Sequence, residues 1–212
     1  METKTKKSVE RGALIVIEGP NGAGDTLYAI NLEYGLRVTK GSDGRPIRSD
    51  YSCSMGQLLR NYFHSDIPKQ NDQAWQLLLA ANRWELRDEM VSQLERGVTI
   101  VLEHYVYGNI ARSVAHDFEL EWCKNLYSGL PRPDIVIYLN GESPESDKRR
   151  VEEEIFHSKV IEAYDVLKHD DSVWVTVDAS RGRDEIHKDI MKHALSVISE
   201  VKKGASLDVI KF

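Results

Sequence analysis

Four short apolar runs punctuate the chain: ALIVIE (13–18), VTIVLEHY (98–105), DIVIYL (134–139) and VWVTVD (173–178). Each is rich in β-branched residues and apolar at successive positions, the pattern of a parallel strand covered on both faces. A weaker run, LRVTK (36–40), is a candidate fifth strand. Helical patterns lie between the runs. TLYAINLEYG follows the first, and DQAWQLLLAANRWELRDEMVSQLERG (72–97) is long and amphipathic, ending at Gly97 as a C-terminal cap. Further helices are expected around 118–128, 152–168 and 183–202. Alternation of strand and helix predicts an α/β fold: a doubly wound parallel sheet of about five strands with right-handed crossovers. Such sheets bind ligands outside the carboxyl ends of their strands. Gly19–Thr26, Glu103–Tyr107 and the segment after Leu139 fall there.

The chain has 212 residues, 41% hydrophobic and 29% charged, which suits one domain with a small lid. Its net charge of -6 argues against general binding to nucleic-acid backbones. No apolar run nears the roughly 20 residues that span a bilayer, so no membrane association is expected. Residues 1–10 read as a disordered tail, polar and basic without the apolar core of a secretory signal. Two cysteines, Cys53 and Cys123, have no metal spacing and read as reduced thiols of a cytoplasmic or nuclear protein.

GPNGAGDTL (19–27), after the first run, fits the phosphate-loop pattern G-x-x-x-x-G-K-[ST] at Gly19, Gly24 and Thr26. With Gly22, these glycines let backbone N–H groups converge at a helix N-terminus, where anions bind. Thr26 occupies the place of a Mg²⁺-binding hydroxyl. Asp25 stands where the pattern has lysine. At ~4 Å and an effective dielectric of ~20, one charge contact is worth about 4 kcal/mol, so the exchange turns attraction for phosphate into repulsion.

RGALIVIEG (11–19), LLLAANRWE (77–85), GVTIVLEHYVYGNIA (97–111), LEWCKNLYSGLPRPDIVIYL (120–139) and VDASRGRDEIHKDI (177–190) follow in fixed order. Together they resemble the thymidylate kinase family of the eukaryotic and poxviral kind, from about Arg11 to about residue 200. The resemblance implies a P-loop nucleoside monophosphate kinase fold, Mg²⁺ and ATP at the loop, dTMP beside it, and transfer of the terminal phosphoryl group. It also implies a homodimer paired through long helices. Arg83 matches an arginine that holds the substrate nucleotide; a surface salt bridge with Glu85 or Asp88 is the competing reading. Arg48 in RPIRSD resembles the arginine of the family's F-P-x-R-S segment, although a gap-free count back from Gly56 reaches Tyr51 instead. Tyr105 is kept. Glu103 and His104 stand for the first two residues of the family's D-R-Y, with Glu103 and Thr26 as the metal-side groups. Leu79 replaces a phenylalanine that stacks on thymine. Asn21 and Gly22 replace an Asp-Arg pair in the loop. The lid, about 141–156, offers Lys148, Arg149 and Arg150 as cations; a charged linker into a helix reads equally well.

Two expectations follow from the resemblance. One is a pseudoenzyme that keeps the fold, binds at most a nucleotide and serves an unidentified protein partner. The other is an active kinase converting ATP and dTMP to ADP and dTDP, with Arg150 and its lid neighbours replacing the lost loop cations. Two features stay open. The stripe Trp75, Leu78, Leu79, Asn82 and Leu86 suits pairing or the chain's own core. The tail 203–212 has an apolar end that can dock on the domain or on something else.

Overall fold

A computed structural model describes residues 10–20, 23–40, 53–64, 72–141, 151–169 and 172–212. The four strong apolar runs form β1 (Leu14–Glu18), β2 (Ile100–Glu103), β3 (Ile135–Asn140) and β4 (Trp174–Asp178). They make one parallel sheet in the order β2-β1-β3-β4. Seven helices surround it among the described residues: α1 (Asp25–Lys40), α2 (Ser54–Phe63), α3 (Asp72–Glu95), α4 (Tyr107–Ala115), α5 (Leu120–Asn125), α6 (Val151–His169) and α7 (Arg183–Val201).

The strands are apolar on both faces because each face carries its own core. Leu14, Val16, Leu102, Val136 and Tyr138 pack with residues of α3 to α6. Ile15, Ile17, Val101, Ile137 and Leu139 pack with α1 and α7. Successive strand side chains point to opposite faces, so β1 is covered throughout, while the edge strand β4 leaves Thr176 and Asp178 exposed.

The expected fifth strand at 36–40 is instead the last part of α1, and the described sheet has four strands. A strand would place 36 and 38 on one face. Here Leu32 and Leu36 are buried while Tyr34 and Val38 are 70% and 69% exposed, which is helical spacing. Helices α2 and α4 have no counterpart in the sequence expectations. Helix α4 starts without a side-chain cap and carries Gly108 in its first turn, so its local signal is weak. Gly97 caps α3 as expected: at φ 88 it donates to Leu94 O, and Val98 N–H donates to Gln93 O. No described helix is long and apolar enough to cross a membrane.

The tail docks on the domain. Ile210 is 2% exposed and exchanges backbone hydrogen bonds with Gly129 and Leu130. The Phe212 ring meets Tyr107 edge-on. Arg11 forks onto Asp134 at 2.7 and 2.9 Å and also donates to the carbonyls of Ala205 and Ser206, tying the tail to the start of β1. Ile210→Ala is expected to cost about 2 kcal/mol of unfolding free energy in urea titration, through lost transfer and a residual cavity. A cost below about 0.5 kcal/mol would mean that tail docking contributes nothing to stability.

Candidate active site

The site forms where β1 and β2 end side by side. Their parallel register pairs Ile17 with Glu103, so the next residues, Glu18 and His104, emerge together. His104 N–H donates to Ile17 O, and its φ of 50 swings the ring back over the sheet end. That is an uncommon conformation for a non-glycine residue.

Glu18 is fully buried at the centre. Its Oε1 accepts from Tyr105 N–H at 2.9 Å and from Gly108 N–H at 3.3 Å. Its Oε2 accepts from the Tyr164 hydroxyl at 3.0 Å and faces His104 Nδ1 at 3.2 Å. Gly108 makes this approach possible: a Cβ there would lie 2.8 Å from Glu18 Oε2 and 2.9 Å from the Tyr164 hydroxyl. Burial and the neighbouring Glu18 carboxylate both push the Tyr164 hydroxyl far up, so it serves as a neutral donor.

The other ring nitrogen of His104 meets the residue that replaces the expected lysine. Nε2 lies 2.5 Å from Asp25 Oδ2, in the first turn of α1. Burial opposes a charge on this imidazole, but hydrogen bonds and charges from Asp25 and Glu18 overcome it and push its pKa up to about 10. The ring is therefore an imidazolium held between two carboxylates at neutral pH. Beside it, the Thr26 hydroxyl donates to Glu103 Oε1. Gly19 and Gly24 bound this loop. A Cβ at Gly19 would come 2.9 Å from Ala23 Cβ, and Gly24 has φ 85, so the turn suits glycine at both places.

A cavity of about 460 Å³ opens next to His104. Leu79 and Arg83 of α3 line one side, and Asn109 and Arg112 of α4 line another. Arg83 is buried, donates to His104 O at 2.9 Å and lies over the Tyr105 ring, so it points into the site and not along the surface of its helix. Tyr105 sits behind the cavity, fully buried, with its hydroxyl donating to Pro131 O. Trp75, Leu78 and Leu86 of the α3 stripe stay half-buried. Gly22, Arg48 and Arg150 lie outside the described residues.

The structure thus brings Asp25, Thr26, Glu103 and His104 together, with Leu79 and Arg83 adjoining. Sequence reasoning missed Glu18, Asn109 and Arg112. Glu18 carried a usable signal, being the one charge at the end of the apolar run ALIVIE. Arg112 carried none, because α4 itself was not anticipated.

A family model described as thymidylate kinase matches residues 17–190. Thymidylate kinase of Danio rerio is 34% identical over 201 residues, spanning 91% of this chain and 94% of that protein. The thymidylate kinase of Homo sapiens is 33% identical over 194 residues, spanning 86% and 90%. A solved thymidylate kinase from Candida albicans superposes with a TM-score of 0.78 at 25% identity, covering 95% of this chain and 99% of that one. Matched along most of its length in both sequence and fold, the chain belongs to the thymidylate kinase family.

Proposed function

We propose that this chain has lost ordinary dTMP kinase turnover and acts as a pseudoenzyme, keeping the fold for a binding, scaffold or regulatory role. One observation carries the reading: His104 is locked between Asp25 and Glu18. By the resemblance, positions 25 and 104 should offer a lysine and an arginine to phosphate. Here their replacements satisfy each other. Three carboxylates, of Glu18, Asp25 and Glu103, surround one imidazolium, so the place for the donor's phosphates is net acidic. Phosphoryl transfer depends on cations set against a highly charged group, and this arrangement opposes it.

The fit to the expected cofactors is uneven. Thr26 and Glu103 present adjacent oxygens of the kind that Mg²⁺ takes, and these residues would hold it. Bound there, Mg²⁺ would neutralise phosphate charge. The glycine-bounded turn at 19–24, including Gly22, would offer backbone N–H groups to ATP, but Asp25 repels the same phosphates. The acceptor side is better kept. Arg83 and Arg112 line a cavity of nucleotide size under Leu79, which supports weak binding of one nucleotide without turnover. Arg48 is assigned to the acceptor phosphate by resemblance alone. Tyr105 supports Arg83 from behind.

That surviving cavity also favours a second reading, an active kinase whose lid cations, Arg150 with Lys148 and Arg149, replace the missing charge. In it, Glu103 organises metal and water while ATP passes its terminal phosphoryl group in line to dTMP. Under either reading we place the chain in the cytoplasm or nucleus as a homodimer paired through α3, where Leu77 and Trp84 are exposed.

ADP production from Mg-ATP with each nucleoside monophosphate separates the readings. The natural chain is expected to show no turnover. Asp25→Lys alone is expected to stay silent, because position 104 still lacks the charged fork that an arginine offers phosphate. Asp25→Lys with His104→Arg is expected to gain measurable turnover. Turnover by the natural chain would overturn the pseudoenzyme reading in favour of the lid cations.

A further inference from the structure

We propose that Gln76 determines which base the cavity beside His104 accepts: its side-chain carbonyl takes the ring N3–H of a thymine or uracil and rejects cytosine. The proposal rests on the reading that this cavity still holds one nucleotide. Gln76 precedes the segment LLLAANRWE (77–85) that carries the resemblance, so its role comes from the geometry of this chain.

The carrying observation is an unused acceptor. Gln76 lines the cavity and is 4% exposed, yet its Oε1 has no hydrogen-bond partner among the described residues. Buried polar atoms are nearly always paired, and each exception calls for an explanation. Folding has already stripped this carbonyl of water, so a ligand N–H arriving there recovers a hydrogen bond at no further cost to the acceptor.

The rest of the wall decides what the ligand offers. Positions 76, 79 and 83 recur at helical spacing, so Gln76, Leu79 and Arg83 line one side of the cavity together. Arg112 of α4 lines another side. A guanidinium only donates, so both arginines call for acceptors while Gln76 Oε1 calls for a donor. The imide edge of thymine or uracil sets one N–H between two carbonyl oxygens. It pairs N3–H with Gln76 and a carbonyl with Arg83, under the cover of Leu79. Cytosine in the same orientation turns a bare ring nitrogen to Gln76 Oε1, and its amino donor replaces the carbonyl that Arg83 needs. Acceptor then meets acceptor and donor meets donor, both at buried side chains. Aromatic surface is present as well: Phe63 and Trp75 line the cavity with ring centroids 5.6 Å apart. Stacking accepts any base, so edge pairing at Gln76 is what separates one pyrimidine from another.

The full chain is titrated by calorimetry, without ATP, with dTMP, dUMP, dCMP and N3-methyl-dTMP. The first two are expected to bind about tenfold more tightly than the last two. Gln76→Leu keeps the bulk and removes the acceptor, so the preference of dTMP over dCMP is expected to shrink to about threefold or less. A merely structural role for Gln76 would weaken all four ligands alike. The N3-methyl comparison needs only the natural chain and carries the test if the variant does not fold. Equal binding of dTMP and dCMP by the natural chain, or an undiminished preference in Gln76→Leu, would overturn the proposal and leave the weak-binding reading standing. Binding of none of the four would overturn both. Turnover is judged separately, since no phosphoryl donor is present here.

Discussion

Glu18→Ala is expected to lower the unfolding free energy by about 3–5 kcal/mol, the cost typical of removing one member of a buried charged network. The carboxylate is fully buried and has partners from α4, from α6 and from the connection between β2 and α4. Its removal leaves the Tyr105 and Gly108 N–H groups without an acceptor and the Tyr164 hydroxyl with only a longer contact to Gly19 O at 3.3 Å. Each stranded buried donor costs about 1–3 kcal/mol, and the His104 imidazolium loses one of its two counter-charges. Glu18→Gln keeps the shape and an acceptor oxygen but loses the charge facing His104, so it should cost less than alanine and still destabilise. Urea unfolding of the three chains measures this. A loss under about 1 kcal/mol for alanine would mean that the buried network is not a cohesive unit.

Alkaline pH should loosen the same network. His104 takes up its proton with a pKa of about 10 in the folded chain, against 6.5 ordinarily. Folded protein thus holds this proton more tightly than unfolded protein does. The resulting stabilisation is fully present below pH about 6.5 and is lost as pH rises through about 10, a change of a few kcal/mol on linkage grounds. The informative quantity is the difference between two chains that differ only at position 104. Unfolding free energies of the natural chain and of His104→Asn, measured from pH 6 to 10, should converge as pH rises. Parallel curves across the window would sink this account of His104.

These two expectations bear on function through one feature. On the proposed reading, the residues at the two positions expected to offer cations to phosphate pair with each other instead. Reversing a single substitution leaves its partner mismatched, which is why the paired variant, Asp25→Lys with His104→Arg, is the informative one. The Asp25–His104 pair also explains how a carboxylate is tolerated at the N-terminus of α1 beside two further acids. A negative charge in the first turn suits the helix dipole, and the imidazolium supplies the rest.

Much of the frame is legible in the residues alone. Four strands could be read because β-branched runs covered on both faces look alike wherever they occur. The long helix α3 and its Gly97 cap could be read because amphipathic spacing and a left-handed glycine are local features. The run 36–40 misled because β-branched residues also occur at helix ends; only the burial of Leu32 and Leu36 on one side reveals the helical period. Helices α2 and α4 were missed because neither carries a strong start signal.

Readable from the residues alone were the α/β frame, the glycine loop after β1 and an acid, Asp25, at the position that the loop pattern gives to lysine. The sequence could not determine what answers that carboxylate. Asp25 and His104 are far apart in the chain, and they meet because the parallel register of β1 and β2 ends both strands at one level. Glu18 became the hub for the same reason, with donors arriving from α4 and α6. Periodicity and capping depend on neighbours along the chain, so they are written locally. Charge pairing across strand ends depends on distances that exist only once the sheet has formed, and the state of this site was therefore decided by the tertiary structure.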